Sequence, residues 1–352
     1  MTPLRIAVIG AGQIGRRHMD VLLPDSAYAV AGIADPMPAS KEFADQHDIP
    51  YFSDTEEMLD KVQPDGAIVA SPNQFHMSGG MACISREVPV LIEKPVADSL
   101  TDALTLVNKA KQSGVPVMVG HHRRHNPIIR KAWEVIQGGG IGKVTAVNCL
   151  WLTHKPDHYF DLAWRREAGG GTVLINGIHE IDYIRMLCGE IDSIQAVTAN
   201  AVRGFPVEDT AAAVIHFENG ALGTLLVSDA VTSPWTWECT SGENPDYPQN
   251  AQYSFLITGT KGSLAVPTLD HWWQDPEQHW FDPMTRQRIP ITPADPYVEQ
   301  MRNFSAVIRG EEEPVVSGEE GTRTLAATLA ITESAAIGGP VRINDMLARA
   351  SG

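Results

Sequence analysis

The segment that most constrains what this chain can fold into is residues 10–15, which have the pattern G-x-G-x-x-G. A short apolar run, Leu4–Ile9, precedes it and predicts a buried strand. In such a pattern the first glycine permits a tight turn, the second lets the backbone approach a pyrophosphate, and the third lets the next helix pack closely. The N–H groups at the start of that helix can then bind the anion. The segment therefore predicts a dinucleotide-binding strand, turn and helix.

The position of Asp35 supports this prediction. Asp35 follows a second apolar run, Tyr28–Ala34, and lies 20 residues after Gly15. Dinucleotide-binding folds place a carboxylate at this point, where it accepts hydrogen bonds from the ribose hydroxyls. A carboxylate there repels a 2′-phosphate, and the next cation along the chain is Lys41. We therefore expect NAD to be the cofactor in preference to NADP.

Strand and helix signals alternate through the first third of the chain. Ser99 and Asp102 form a capping box, which predicts a helix that reaches Gln112. This alternation is typical of a doubly wound parallel sheet, the Rossmann fold. Besides the two strands above, apolar runs predict strands at 67–70, 89–92 and 116–119.

The pattern changes after the first 122 residues, so we expect a Rossmann domain at 1–122 and a second, α+β domain at 123–352. Asn219-Gly220 joins two alternating runs and is a strong hairpin signal. We expect a large, open and mainly antiparallel sheet, and such a sheet with one face uncovered favours a homo-oligomer. Strands are predicted at 143–152, 191–199, 210–218, 221–228, 254–258 and 263–266, and helices at 127–137, 171–187, 294–309 and 318–337.

The charge of the chain excludes some partners. Lys and Arg number 27 against 43 Asp and Glu, which gives a net charge of −16. Binding to nucleic acid or to an anionic membrane requires clustered cations, so neither is expected. The four cysteines are scattered, and no apolar run approaches the roughly 20 residues of a membrane span. We expect a cytoplasmic protein with reduced thiols.

Several further segments carry a resemblance to a known family. They are the 10–15 turn, Asp35, the run 71–76 (Ser-Pro-Asn-Gln-Phe-His), Glu93-Lys94-Pro95, and the stretch from Gly169-Gly170-Gly171 through Asn176, His179 and Asp182. On these the chain resembles the glucose–fructose oxidoreductase and inositol dehydrogenase (Gfo/Idh/MocA) family of NAD(P)-dependent oxidoreductases. Residues 120–127 and Trp164-Arg165 match further family segments.

The resemblance implies catalytic roles for Lys94, His179 and Asn176. The lysine of Glu-Lys-Pro would lie beside the nicotinamide and hydrogen-bond the reacting hydroxyl, and a histidine is suited to exchange that proton near neutral pH. One position departs from the family pattern. The aspartate expected four residues before His179 is replaced by Ile175, which puts an inositol-type substrate and an Asp–His relay in question.

Residues for the ligands follow from the motif and the resemblance together. The loop at 153–171 is rich in aromatic residues, whose faces can stack on a sugar while an arginine binds hydroxyls or a carboxylate. Predicted cofactor-binding residues are Gly10, Gly12, Gln13, Ile14, Gly15, Asp35, Ser71, Pro72, Asn73, His76, Glu93, Lys94, His122, Trp164 and Arg165. Predicted substrate-binding residues are Lys94, Arg123, Tyr159, Arg165, Asn176, His179 and Trp235.

Other patterns leave alternatives open. The basic run 121–125 either lines a cleft or forms a solvated loop, and either Trp235 or Trp237 is expected to reach the substrate pocket. His154 and His158 have no evident third partner for a metal, so no metal is expected.

The sequence therefore favours an NAD-dependent oxidoreductase acting on a secondary alcohol of a sugar, a cyclic polyol or a related hydroxylated ring such as a dihydrodiol. Two alternatives remain at this point. One keeps NAD tightly bound and uses transient oxidation for an epimerisation or a glycoside cleavage. The other is a non-catalytic NAD-binding sensor.

Overall fold

A computed structural model describes residues 2–275 and 277–352 of the chain. The described residues divide into two compact units. The first unit holds the chain up to His125 together with Pro296–Arg323 and Ser351. The second holds the described residues of Asn126–Asp295, Thr324–Ala350 and Gly352.

The first unit contains a parallel sheet of six strands in the order β3-β2-β1-β4-β5-β6, which confirms the predicted Rossmann fold. The order reverses between β1 and β4, where doubly wound sheets bind their ligands. Its strands are β1 Leu4–Ile9, β2 Tyr28–Ala34, β3 Tyr51–Phe52, β4 Gly66–Val69, β5 Val90–Ile92 and β6 Val117–Val119. Its helices up to His125 are α1 Gln13–Leu22, α2 Pro38–Gln46, α3 Thr55–Val62, α4 His76–Ile84 and α5 Leu100–Ser113.

A late helix completes the core of this unit, which is where the structure departs from the expected division at residue 122. Met301 and Phe304 of α9 (Pro296–Ile308) are fully buried in one cluster with Ile6 and Val8 of β1. Because the apolar face of α9 covers the sheet, residues 296–323 group with the first unit although they follow the second in sequence.

Removal of the Phe304 ring tests this packing. We expect Phe304→Ala to lower the free energy of unfolding of the first unit by about 3–5 kcal/mol, since it removes a buried aromatic ring and leaves a cavity. Val298 lies on the same helix with 45% of its surface exposed. The control Val298→Ala should stay within about 0.5 kcal/mol in denaturant titrations. Equal losses in the two variants would contradict this account of α9.

The second unit is built on a sheet of nine strands in the order β14-β13-β12-β11-β7-β10-β9-β8-β15. All neighbours are antiparallel except β7 and β10, as predicted for a mainly antiparallel sheet. The strands are β7 Val144–Leu152, β8 Ile191–Ala199, β9 Thr210–Phe217, β10 Leu222–Ser228, β11 Phe255–Gly259, β12 Gly262–Val266, β13 Asp270–Trp273, β14 Thr285–Arg288 and β15 Val341–Arg342. The helices are α6 Pro127–Gln137, α7 Ile178–Cys188, α8 Trp237–Ser241 and α11 Ile343–Ser351, while α10, Gly318–Ile337, continues into this unit from the first.

The predicted helix at 171–187 is not a regular α-helix. Val173–Gly177 forms one wide π-helical turn, and α7 begins only at Ile178. Such turns are frequent at functional sites because they change the direction in which neighbouring side chains project. A regular α-helix would place Asn176 and His179, three residues apart, on one face. Because Asn176 lies in the π-helical turn and His179 in α7, regular α-helical spacing does not set their relative positions.

The described residues also bear on the cysteines and on membrane spanning. The four cysteines form no disulfide within the described residues, and burial raises the pKa of the Cys83 thiol to about 12. None of the described helices has both the length and the apolar character needed to cross a membrane.

Candidate active site

The dinucleotide turn of the first unit has the geometry that its glycines predict. Gly10 has a φ of +91°, and a Cβ there would lie 2.5 Å from the backbone nitrogen of Ser71. A Cβ on Gly15 would lie 2.0 Å from the Gly10 carbonyl oxygen, whereas one on Gly12 would meet nothing within 4 Å. The turn is thus closed on its inner side and open at Gly12, where a phosphate approaches the backbone.

The strand end beside this turn has polar groups available. Ser71 follows β4, and its hydroxyl is buried without a hydrogen-bond partner among the described residues. Pro72 is exposed and Asn73 half-buried in the loop that follows, while Gln13 and Ile14 begin α1. The open turn, the helix start and the orphaned hydroxyl fit a bound pyrophosphate dinucleotide.

Asp35 occupies the end of β2, as predicted. One carboxylate oxygen accepts the N–H of Ala11 at 2.7 Å, and the other accepts the N–H of Met37 at 2.7 Å. These bonds fix the carboxylate beside the dinucleotide turn. Because each oxygen carries two lone pairs, both retain capacity for ribose hydroxyls.

The fixed carboxylate makes a prediction about cofactor choice. A 2′-phosphate would face this charge and replace a ribose hydroxyl that can hydrogen-bond it, and a hydrogen bond to a charged group contributes roughly 1.5–3 kcal/mol. We therefore expect the wild-type protein to bind NAD at least about tenfold more tightly than NADP in fluorescence titrations. Equal affinity, or tighter binding of NADP, would contradict this role of Asp35.

Glu93 and Lys94 follow β5 at the same edge of the sheet. Glu93 is buried and accepts a hydrogen bond from the imidazole Nε2 of His18 at 2.8 Å. Burial alone would raise the pKa of Glu93, but the hydrogen bond and charge of His18 hold that pKa below its usual value. The other Glu93 oxygen accepts the backbone N–H of Lys94 at 3.3 Å. Glu93 thus anchors the backbone of Lys94, whose own side chain is half-buried.

His76 also has a structural function at this edge. Its two ring nitrogens face the carbonyl oxygens of Pro95, at 2.6 Å, and of Ser71, at 2.8 Å. Burial lowers the pKa of His76. The ring therefore joins the segment that follows β4 to the segment that follows β5 and fixes their separation.

The basic run 121–125 is buried along its whole length, so the alternative of a solvated loop is wrong. His122 stacks on the ring of Tyr297, with ring centres 4.5 Å apart. Arg124 forms an ion pair with Glu320 at 2.9 Å, and Arg123 is 5% exposed. His122 and Arg124 are therefore held within the first unit by Tyr297 of α9 and by Glu320 in the segment that follows it.

In the second unit, His179 is buried near the start of α7, and Asn176 lies in the π-helical turn just before it. Asp182, which the resemblance also included, accepts a hydrogen bond from the hydroxyl of Thr324 at 2.8 Å and is buried. Asp182 therefore packs within the unit, whereas Asn176 is half-buried.

A largely buried lysine that the sequence did not single out, Lys155, contacts Asn176. The Nζ of Lys155 donates to Asn176 Oδ1 at 2.7 Å and lies 3.3 Å from a carboxylate oxygen of Asp229. Burial lowers the pKa of Lys155, and the charge of Asp229 opposes that shift. Arg203 also pairs with Asp229, at 2.8 Å. No motif marks these residues, since they lie on three separate connections of the sheet.

Glu208 lies close to this group. Its carboxylate accepts the N–H of Val173 at 2.9 Å, at the start of the π-helical turn. A Cβ at Gly171 would lie 2.2 Å from the same carboxylate, which accounts for a glycine there. Burial raises the pKa of Glu208.

The aromatic loop after β7 is organised around Arg165. Its guanidinium lies 3.9 Å from the ring centre of Tyr159 and 5.3 Å from that of Trp164, and it donates to the Tyr159 carbonyl at 2.6 Å. Trp235 is 41% exposed. Trp237 is fully buried against Tyr183 and Phe255, so it is a core residue and does not line a pocket.

No group of metal-ligating side chains occurs in the part of the chain that the structure describes. The first unit therefore offers a dinucleotide-binding backbone and, at the same sheet edge, a lysine, as expected for an oxidoreductase with a nicotinamide cofactor. The second unit offers a histidine and an amide, which can exchange or donate protons.

Comparison with known proteins agrees with this class. Residues 4–121 match the family "Oxidoreductase family, NAD-binding Rossmann fold", and residues 129–265 match the GFO/IDH/MocA C-terminal domain. The chain belongs to the Gfo/Idh/MocA family and is an oxidoreductase with an NAD-binding Rossmann domain.

The chain is similar to several characterised members. It is 28% identical over 294 residues to 1,5-anhydro-D-fructose reductase of Ensifer adhaerens, and the aligned residues cover 82% of each chain. It is 25% identical to myo-inositol 2-dehydrogenase of Thermotoga maritima, over 92% of this chain and 93% of that protein. A solved structure of the WlbA dehydrogenase of Chromobacterium violaceum, in complex with NADH and UDP-GlcNAcA, superposes with a TM-score of 0.80 at 25% identity, over 97% of this chain and 96% of that one.

Proposed function

We propose that this protein is an NAD-dependent dehydrogenase that oxidises a secondary alcohol on a sugar, a cyclic polyol or a related hydroxylated ring. The observation that carries the proposal is the placement of Lys94. It follows β5 at the carboxyl edge of the parallel sheet, two strands from the dinucleotide turn, and its backbone is fixed by the buried Glu93. Ligands of doubly wound sheets bind at this edge.

In the proposed reaction, nicotinamide supplies the hydride acceptor at its C4 atom. The C–H bond of the alcohol carbon breaks with its electron pair, while the hydroxyl O–H loses its proton and a C=O bond forms. The hydroxyl donates a hydrogen bond to Lys94 Nζ, Lys94 takes up the proton, and His179 receives that proton from Lys94. Asn176 donates a hydrogen bond to a hydroxyl of the substrate.

Features of the second unit support a hydroxylated ring as substrate. Tyr159 and Trp164 provide aromatic faces close to the Arg165 guanidinium. An aromatic face suits the C–H surface of a sugar, and a guanidinium suits its hydroxyls or a carboxylate. The similar proteins include a reductase of an anhydro-sugar and an inositol dehydrogenase.

Self-association is part of the proposal. On β9 and β10 alternate residues are exposed, and these include the apolar side chains Val214, Leu222 and Leu226. An open sheet face with apolar residues is a typical contact surface. We expect light scattering to give the mass of a homodimer or homotetramer, and a monomer at micromolar concentration would contradict this part.

The substrate class is tested with a panel of inositols, aldoses, sugar acids and dihydrodiols, followed by NADH absorbance. We expect net NADH formation with at least one ring polyol or sugar. A protein that binds NAD but forms no NADH with any member of the panel would contradict the proposed function.

A further inference from the structure

We propose that Lys155 is a positioning residue, which orients the side-chain amide of Asn176 so that its NH₂ group is presented to the substrate. This inference rests on the proposed function, because Asn176 is there assigned to substrate binding. It concerns residues of the second unit alone.

The backbone of Lys155 is held on both sides. Its N–H donates to the Asp229 carbonyl oxygen at 2.9 Å, and its own carbonyl oxygen accepts from Arg203 Nη2 at 2.9 Å. The neighbouring His154 forms an isolated β-bridge with Ala230. The backbone from which the Lys155 side chain extends is therefore fixed, just beyond the end of β7.

The side chain is held equally closely. It is 11% exposed, and its Nζ lies 4.7 Å from the ring centre of Tyr159 and 5.5 Å from that of Trp151. Asp229, which is 4% exposed, supplies the balancing charge and is itself fixed by Arg203. A buried ammonium with an ion pair and two aromatic faces has little freedom to leave Asn176.

The orientation of Asn176 follows from the chemistry of its partner. An ammonium group has three donors and no acceptor, so the amide atom that faces it must be the oxygen. The oxygen lies 2.7 Å from Lys155 Nζ. The two N–H donors of Asn176 then point away from the lysine and are available to accepting oxygens of a hydroxylated ligand. Without Lys155, the amide could turn over and present an acceptor in their place.

The sharpest single test is Asn176→Asp. The new carboxylate still accepts from Lys155 but has no N–H to donate. We expect the KM for the best substrate of the panel to rise about tenfold or more, as for loss of a hydrogen bond in a polar site. The KM for NAD and the melting temperature should stay close to wild type. An unchanged substrate KM would overturn the proposal.

Lys155 itself is tested with Lys155→Met, Lys155→Arg and the double variant Lys155→Met/Asn176→Ala. If the lysine acts through Asn176, the substrate KM of the double variant should equal that of Asn176→Ala, because the same interaction is removed only once. Lys155→Arg keeps a donor and a charge, so it should recover part of the loss. If the effects of the two single substitutions on the substrate KM instead multiply in the double variant, the proposal is overturned. Lys131→Met, which removes a half-buried lysine of α6 that pairs with Glu134, is the matched control.

A readout without turnover separates this inference from the proposed function. The side-chain NH₂ signals of Asn176 in an NMR spectrum of the NAD complex should be sharp in the wild type and shifted or broadened in Lys155→Met. Unchanged signals would overturn the positioning role even in an active enzyme. Absence of NADH formation in the wild type would instead overturn the proposed function, while these signals would still test the orientation of Asn176.

Discussion

Lys94→Ala is expected to lower kcat by about 100-fold or more, because a positioned proton-transfer group contributes 10²–10⁴-fold. The affinity for NAD should remain close to wild type, since the contacts predicted for the pyrophosphate and ribose lie at the dinucleotide turn and at Asp35. The measurement is steady-state kinetics at saturating substrate, together with a fluorescence titration of NAD.

An exposed lysine of the same unit provides the control. Lys41 forms an ion pair with Asp45 on the surface of α2, and Lys41→Ala should leave kcat unchanged. If Lys94→Ala instead loses NAD affinity and keeps its rate at saturation, Lys94 is a cofactor clamp and the proton-transfer role is wrong.

His179→Asn is expected to lower kcat by a similar factor, about 100-fold, because asparagine can hydrogen-bond a hydroxyl but cannot take up its proton. The buried position of His179 near the start of α7 fits a group held in a fixed geometry. Measurement of kcat against pH should also lose the acid limb that a histidine contributes.

His158 is the matched control for this variant, since it is an exposed histidine of the same unit. His158→Asn should keep both the wild-type rate and the wild-type pH profile. An unchanged acid limb in His179→Asn would mean that another group, with Lys94 the first candidate, carries the proton.

The Rossmann unit could be predicted closely from the sequence because its signals are local. β1 and β2 have the predicted bounds, and Ser99 caps α5 through the N–H of Asp102, as the capping box indicates. The two-residue strand β3 and the helix α4 escaped notice, since the first is very short and the second has only a weak amphipathic pattern.

The contribution of α9 to the first core could not be predicted in the same way. The sequence shows its helical spacing, but which sheet its apolar face covers depends on packing between residues about 300 apart, since Phe304 shares one buried cluster with Ile6 and Val8. Likewise, Arg286 and Arg288 of β14 both donate to Asp270 of the neighbouring strand β13, and this pairing is visible only in the folded sheet.

The parts of the candidate site that a sequence motif marks could be predicted. The parts that are formed by contacts between distant residues could not. The dinucleotide turn and Asp35 have the predicted geometry. By contrast, the anchoring of Glu93 by His18 joins residues 75 apart, and the contact of Lys155 with Asn176 joins residues 21 apart within the long connection between β7 and β8. The π-helical turn at Val173–Gly177 is a further case, because residue spacing alone does not distinguish it from an α-helix.

The most direct measurement of the central claim is the fate of the hydrogen on the reacting carbon. A substrate of the panel is prepared with deuterium on the carbon that bears the reacting hydroxyl, and the NADH and ketone formed are analysed by mass spectrometry. The account predicts deuterium in the NADH in an amount equal to the ketone produced. Formation of NADH without deuterium would contradict the account. Return of the deuterium to a carbon of the substrate, with no net formation of NADH, would contradict it as well.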